Sequence, residues 1–419
     1  MYTNAATNNE ILTLLKLYVL LYADDTIIMA ESPKEMQLAL DALGEYCQTW
    51  KLNINISKTK IMKFTKVKTK TPLQDFWLNG ETVEIVDSYV YLGTTFQSNG
   101  KFTEAINKQI NQAHRALFVI KSKKERFNLP IDIVLDLFDK MILPILLYGC
   151  EIWCFENLNS IEFFYRKFLK YLLKVNKQTT DCMVYGETGR TKLSVIIKTR
   201  MISFWHKTST GINTKLSYRI LYLLNKINEQ NDKFSSSWLN QIEKTLNSCG
   251  MRNVWLNPKL FKLNQVKKEI TKKLTNLDNQ KWLDEVAKKS SCLTYRTFKN
   301  ERKLEKYLLL PDCTDRINLS RFRCRKIKIP VVTLGYANGN ERIPYENRKC
   351  TLCSLDEIGD EFHYVLICPF FQLQRQRYIE GHYYTDPDRE KFSELMQSQN
   401  LNILRKLAKV INDINRHFN

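Results

Sequence analysis

Leu17-Tyr18-Val19-Leu20-Leu21-Tyr22-Ala23-Asp24-Asp25-Thr26-Ile27-Ile28-Met29-Ala30 sets two adjacent carboxylates inside an otherwise apolar run. Strand-favouring residues flank the acids on both sides. Burying charge in such a run is costly unless the carboxylates are paired or hold a metal. A β-hairpin with Asp24 and Asp25 at its tip fits the pattern, because the tip presents both to a cation. Paired Mg²⁺ ions on such a platform stabilise the attacking and leaving oxygens of a nucleotidyl transfer together. Mg²⁺ takes carboxylate oxygens and substrate phosphates rather than a full protein cage. A surface turn with two acids is the plain alternative, and Tyr22-Ala23-Asp24-Asp25 alone does not decide between them.

The residues that follow extend the pattern. Ser32 suits a helix N-cap, Pro33 the first helical position, and Glu35 the far side of a capping box. Met36, Leu40, Leu43, Cys47 and Trp50 then mark one apolar face of a helix ending near Lys51. Leu52-Asn53-Ile54-Asn55-Ile56 alternates like a strand, Ser57 to Lys60 is polar, and Ile61-Met62-Lys63-Phe64 alternates again. Hairpin, helix, strand, turn and strand resembles the order of the later half of a polymerase palm.

Here the chain resembles the reverse transcriptases, and Ala23 is the form common in non-LTR (LINE-type) retrotransposons. Asn53, Lys58, Thr59 and Met62 are similar to a Leu-Asn…Lys-Thr…Met-x-Phe pattern of LINE enzymes. Val86-Asp87-Ser88-Tyr89-Val90-Tyr91-Leu92-Gly93 resembles their primer-grip strand. The resemblance implies RNA-directed DNA polymerase chemistry, with Asp24 a Mg²⁺ ligand and Asp25 its less direct neighbour. It implies nucleotide or primer contacts at Tyr22, Lys58, Leu92 and Gly93. Lys58 would place a cation near the triphosphate or the leaving pyrophosphate; a solvated turn lysine is the alternative. Leu147-Tyr148-Gly149-Cys150-Glu151-Ile152-Trp153 and Tyr185-Gly186-Glu187-Thr188-Gly189-Arg190 are also similar to LINE segments, although the family often has Pro where Lys192 stands.

A helix is expected over Lys101 to Phe127, with Ile106, Ile110, Ala113, Leu117 and Ile120 on one face. Lys108, Arg115, Lys121, Lys123, Lys124 and Arg126 decorate it. In a thumb domain they would contact phosphates; otherwise they solvate the helix. Ile131 to Leu147 is expected to be helical and kinked or ended near Pro144. Ile161, Phe164, Tyr165, Phe168, Leu172 and Val175 form a further stripe, with Arg166, Lys167, Lys170 and Lys174 beside it. Thr210 to Asn300 is Lys/Asn-rich, yet Trp238, Trp255 and Trp282 argue that it folds. Asn228 to Ser237 resembles a linker.

Near the C-terminus, Cys350-x2-Cys353, nine residues, then His363-x4-Cys368 has the donor types and spacing of a closed tetrahedral Zn²⁺ site. Asp360 and Glu361 stand where they could orient the imidazole. A redox or coincidental cluster is the alternative. LINE-type proteins carry a similar cluster, and Pro369 completes that match. Arg321, Arg323, Arg325, Lys326 and Lys328 form a basic cluster just upstream, with Arg342 and Arg348 nearer the cysteines, fit for nucleic acid or for solvation alike.

Composition bounds these readings. The 419 residues are 44% hydrophobic and 26% charged, which is globular. Gly 13 and Pro 10 are low and favour helix. Lys+Arg 64 against Asp+Glu 44 gives a net charge of +20 and points to a polyanionic partner. Eleven scattered cysteines argue for a reducing compartment. Ile11 to Tyr22 lacks the basic start of a signal peptide, and no stretch is apolar enough to span a membrane.

The expected fold is α+β. It comprises a partial palm over 1–100, a helical thumb over 101–210, a helical connector over 211–310 and a basic, zinc-binding module over 311–419. Only Met1 to Leu21 precede the hairpin motif. The earlier metal-binding Asp, the fingers and the glycine-bearing helix that the resemblance implies do not fit there, and an apurinic-type endonuclease domain is absent. The expectation is a 5′-truncated product with little or no polymerase activity alone. Its partners would be an RNA template, an RNA–DNA hybrid or target DNA, with no membrane, and the upstream part of the same element. A non-catalytic nucleic-acid-binding remnant, or a genomic fossil without function, are the alternatives. The expected location is intracellular, in the nucleus or a cytoplasmic ribonucleoprotein.

Overall fold

The computed structural model describes residues 19–65, 74–153, 158–230, 236–334 and 343–418. Arg342 and residues 231–235 of the expected linker lie outside them. Among the described residues the fold is α+β, mostly helical with three small sheets. Contacts divide the chain into two compact units. One comprises Met1–Asn111, Leu147–Asn157 and Arg200–Lys267; the other comprises Gln112–Leu146, Leu158–Thr199 and Lys268–Asn419. Among the described residues no helix is long and apolar enough to cross a membrane.

The first unit opens with strands β1 (Val19–Tyr22) and β2 (Asp25–Ile28), an antiparallel pair with Tyr22 opposite Asp25. Helix α1 (Pro33–Thr49) starts as its sequence dictates: the Ser32 hydroxyl accepts from the Glu35 amide at 3.2 Å. The capping box differs by one position, because Glu35 Oε2 accepts from the amide of Glu31 at 3.0 Å. Leu52 to Ile56 is not the expected strand. Asn55 turns the chain there instead, taking the Lys58 amide on both its main-chain and side-chain oxygens at 3.1 Å. A side chain that offers the backbone a local partner competes with ladder formation.

Strand pairing resumes at β3 (Lys60–Ile61), with β4 (Phe76–Leu78) and β5 (Glu81–Ile85) in the order β3-β5-β4. Leu40 of α1 packs on Ile61, Phe76, Leu78 and Val83 of this sheet. Gln37 exchanges two hydrogen bonds with the main chain of Trp77, donating at 2.8 Å and accepting at 3.0 Å, so a helix side chain occupies the open edge of β4. Strands β6 (Ser88–Tyr91) and β7 (Thr94–Gln97) form a third hairpin, after β1–β2 and β4–β5. Its turn residues Leu92 and Gly93 both have positive φ, 46° and 77°. That is the mirror-image two-residue turn that suits the strand twist, and glycine takes it without steric cost.

Helix α2 (Thr103–Phe127) buries Ile106, Ala113, Leu117 and Ile120. Ile131 to Leu146 is helical with a π-helical turn over Phe138–Ile142. Pro144 lacks the amide that a regular ladder needs, which accounts for the irregular turn at the expected kink. The stretch from Thr210 onward is folded where described: Trp255 stacks on Trp205 at 5.0 Å and Trp238 donates to the Glu151 carbonyl.

In the second unit, α3 (Asn159–Leu172) buries Ile161, Phe164, Tyr165, Phe168 and Leu172, and Phe168 stacks on Phe138 at 4.3 Å. Helix α4 (Asp181–Thr188) ends on Gly189 at φ 65°. A Cβ there would lie 2.4 Å from the Leu304 amide nitrogen, so only glycine lets these backbones meet. Across that contact Glu187, fully buried, accepts from Arg323 at 2.6 Å and 3.1 Å and from the Tyr295 hydroxyl at 3.0 Å. Arg323 closes helix α5 (Cys313–Arg323) and also pairs with Glu305, which is bonded to Lys299. Helix α6 (Leu401–Phe418) packs its Leu404, Leu407, Ile411 and Ile414 inward and holds buried Asp315 through Lys409 at 3.1 Å.

Burial pushes the Glu187 carboxyl up, but the facing Arg323 and Lys299 hold it below the ordinary value. A depressed carboxylate contributes stability that is present above its unfolded pKa, about 4.3, and lost as pH falls through the folded value. Breaking a buried ion pair on one side typically costs about 3–5 kcal/mol. Glu187→Gln and Arg323→Met should therefore each lower stability by that order, and the double substitution by less than the sum. Urea unfolding of the four proteins checks this, and additive losses would show that the two side chains are not coupled.

Candidate functional site

The hairpin tip is exposed. Ala23 turns the chain at φ 52°, Tyr22 is 62% exposed, and Asp24 and Asp25 face solvent beside exposed Leu21. The expected cost of charge within an apolar run does not arise, because the acids stand at the tip and not in a core. Neither carboxylate has a hydrogen-bond or ion-pair partner, and no third acid, Cys or His joins them among the described residues. Two adjacent carboxylates can take part of the shell of a hydrated Mg²⁺.

Lys58, Leu92 and Gly93 are also exposed. The Tyr89 hydroxyl of β6 donates to the Lys58 carbonyl at 3.1 Å, tying the Asn55 turn to the β6–β7 hairpin. The Tyr148 hydroxyl donates to the Leu92 carbonyl at 3.1 Å and braces the hairpin turn. Asn55, Tyr89 and Tyr148 thus hold up segments expected to contact nucleotide or primer. The Asn-x-x-Lys spacing was the one sequence signal for the first of these supports.

The basic residues divide. On α2, Arg115 and Lys123 are exposed, Lys108 and Lys121 are half-buried, and Lys124 is buried. Burial lowers the Lys124 ammonium pKa, and Lys174 and Arg316 lower it further. Arg321 is exposed. Arg323 corrects the expected surface cluster: it is 2% exposed and belongs to the Glu187 network. Arg316, Leu319, Ser320 and Arg323 are spaced by three and four residues along α5, and all face inward. Arg325 is largely withdrawn too, pairing with buried Glu361 at 3.2 Å. An arginine is ordinarily read as exposed, and its partner lies far off in the chain.

The Cys/His cluster is assembled. The Sγ atoms of Cys350, Cys353 and Cys368 and a ring nitrogen of His363 all lie within 4.8 Å of one another. Cys350 and Cys368 Sγ are 3.9 Å apart, and Cys353 Sγ is 3.4 Å from His363 Nε2. Tetrahedral Zn²⁺ with bonds of about 2.3 Å to sulfur and about 2.0 Å to nitrogen calls for edges of this order. A bridge between Lys349 and Ile358 closes the loop that carries both early cysteines. His363 opens a π-helical turn, His363–Ile367, that delivers Cys368.

Asp360 does not touch the imidazole. Its Oδ1 accepts from the His363 amide at 2.9 Å, and its Oδ2 from Tyr345 and Arg389. Glu361 accepts from the Thr294 hydroxyl at 2.7 Å. His363 Nδ1 is buried and unpartnered. Burial lowers the His363 pKa, which favours the neutral, ligating imidazole. Burial, with the neighbouring sulfurs, pushes the Cys368 thiol up to about 12, so a cation is what would let it ionise. The donor set therefore fits a thiolate-loving metal.

Lys192 is a working donor: its amide bonds Asp278 at 3.2 Å, and Arg302 holds the same carboxylate at 2.7 Å.

Residues 3–96, which span the hairpin, α1 and the β3–β7 strands, match the family described as reverse transcriptase (RNA-dependent DNA polymerase). The chain is 29% identical over 141 residues to an uncharacterised transposon-derived protein of Caenorhabditis elegans. That match covers 32% of this chain and 48% of the relative, so the chain spans about half the length of the curated protein it matches. No solved structure matches it. The exposed two-acid hairpin thus lies in a reverse-transcriptase-like segment of a chain similar to a transposon-derived protein.

Proposed function

We propose that the chain is a nucleic-acid-binding polypeptide of a non-LTR (LINE-type) reverse transcriptase. It would run from the later palm (1–100) through a thumb (101–210) and a connector (211–310) to a metal-ordered C-terminal module (311–419). The carrying observation is the Tyr22-Ala23-Asp24-Asp25 tip, solvent-facing within the segment that matches reverse transcriptases. Asp24 is the Mg²⁺ ligand, Asp25 its neighbour, and Tyr22 sits at the base of the tip. Lys58 serves the phosphates, and the Leu92-Gly93 turn serves the primer strand. Mg²⁺ bound there would supply Lewis-acid stabilisation of the transferring phosphoryl oxygens. The partners are an RNA template, an RNA–DNA hybrid or target DNA, in the nucleus or a cytoplasmic ribonucleoprotein. Binding without catalysis is the second reading, favoured by the lack of a third ligand beside Asp24 and Asp25 among the described residues.

Cys350, Cys353, His363 and Cys368 would hold one structural Zn²⁺, since four protein donors leave no open position. Metal analysis should find one equivalent of zinc per chain, lost on Cys350→Ser and on Cys368→Ser, with a lower thermal midpoint after chelation. A folded, reduced sample without metal would sink this assignment.

The chain should bind an RNA–DNA hybrid with a steep inverse dependence on salt and extend a primer on RNA weakly or not at all. Salt-insensitive binding would count against the nucleic-acid reading. Mg²⁺-dependent extension abolished by Asp24→Asn would show a complete catalytic site and refute the non-catalytic reading.

A further inference from the structure

We propose that Lys121, Lys167, Lys174 and Arg321 form one face that holds the phosphodiester backbone of an RNA–DNA hybrid. The proposal rests on the nucleic-acid reading above and gives it an address within the second unit.

The four residues come from three segments separate in sequence: α2, α3 with the residues just after it, and α5. Tyr171 gathers two of them. The ammonium groups of Lys121 and Lys174 lie 4.4 Å and 4.6 Å from its ring centroid, and that of buried Lys124 lies at 5.7 Å. Arg321 joins the same face by donating from Nε to the Lys174 carbonyl at 3.2 Å. Exposed Lys167 stands over Phe163 at 5.3 Å.

Counter-charge is scarce. Glu125 accepts from the Tyr171 hydroxyl at 3.0 Å and lies 3.6 Å from Lys174. Asp181 is taken by Lys170 at 2.7 Å and Arg166 at 3.1 Å. Lys121 and Lys167 form no ion pair among the described residues. The crowding is visible in titration: after burial, the largest influences lowering Lys121 are Lys167 and Lys174. His114 is lowered by burial and then by Lys167 and Lys121. Like charges held together in excess of their counter-charge repel, and a polyanion relieves that repulsion while releasing its own counterions. The aromatic ring holds the ammonium groups in place beforehand, so less side-chain freedom is lost when phosphate arrives.

The test compares the full chain with the triple variant Lys121→Gln, Lys167→Gln and Lys174→Gln. A control of equal charge change carries Lys268→Gln, Lys272→Gln and Lys281→Gln, three exposed positions of the Leu263–Lys288 helix. A fluorescent RNA–DNA hybrid is titrated over a salt series. The face variant should bind at least about 10-fold more weakly, with the log–log salt slope reduced by about 2 to 3, and the control should change the slope less. Lysine acetylation of the unsubstituted chain, read by mass spectrometry, should show Lys121, Lys167 and Lys174 protected by the hybrid. Normal binding and slope in the face variant, or lysines that stay reactive on the bound chain, would overturn the face while the nucleic-acid reading stands. Failure of the unsubstituted chain to bind would overturn both.

Discussion

The second unit depends on the neutral, buried quartet of Glu187, Arg323, Glu305 and Lys299. Two carboxylates and two cations are removed from water together, and none could stay if another left. The quartet explains several local choices at once. Gly189 is glycine because the Leu304 backbone, one residue before Glu305, comes against it. Tyr295 points its hydroxyl at Glu187, and Phe298 and Tyr307 lay their rings on the Arg323 guanidinium at 4.8 Å and 5.3 Å. The Tyr185-to-Arg190 segment is therefore an organiser of the interior. Its Tyr185 bonds buried Glu162, and its Arg190 reaches Asp139.

Features governed by near neighbours were legible in the chain. Ser32 caps its helix, the stripes of α2 and α3 face inward, and the Cys350 to Cys368 donors converge, because spacing on one or two elements decides each. The strand expected over Leu52 to Ile56 failed because alternation is weak evidence beside an asparagine able to build a turn. Arg323 was misplaced for a different reason: its partner Glu187 lies 136 residues away, beyond any local pattern. The contacts to the His363 imidazole expected of Asp360 and Glu361 are not made for the same reason, since Arg389 and Arg325 claim these carboxylates. The fold class came through, and the supports of the site did not.

The two candidate metal sites make a physical contrast. The Cys/His cluster is buried at His363 and Cys368 and half-buried at Cys350 and Cys353, and burial lowers the pKa of its histidine. The Asp24–Asp25 tip stands in water on a two-stranded ribbon, with no neighbour among the described residues to fix either carboxylate. Preorganised charge is usually the largest catalytic term, so rigidity, more than residue identity, separates a binding platform from an active one here.

The same quartet has a consequence for how the chain is made. Glu187 emerges from the ribosome long before Arg323, and Arg323 in turn bonds the Met396 carbonyl, while Asp315 waits for Lys409. Helices α3 and α4 must therefore remain incompletely buried until synthesis is nearly over. Long-range closure of this kind is slow and leaves apolar surface open to aggregation. Translation interrupted between Glu187 and Lys299 would release a product that carries the acid of the quartet and neither of its cations, a natural target for quality control.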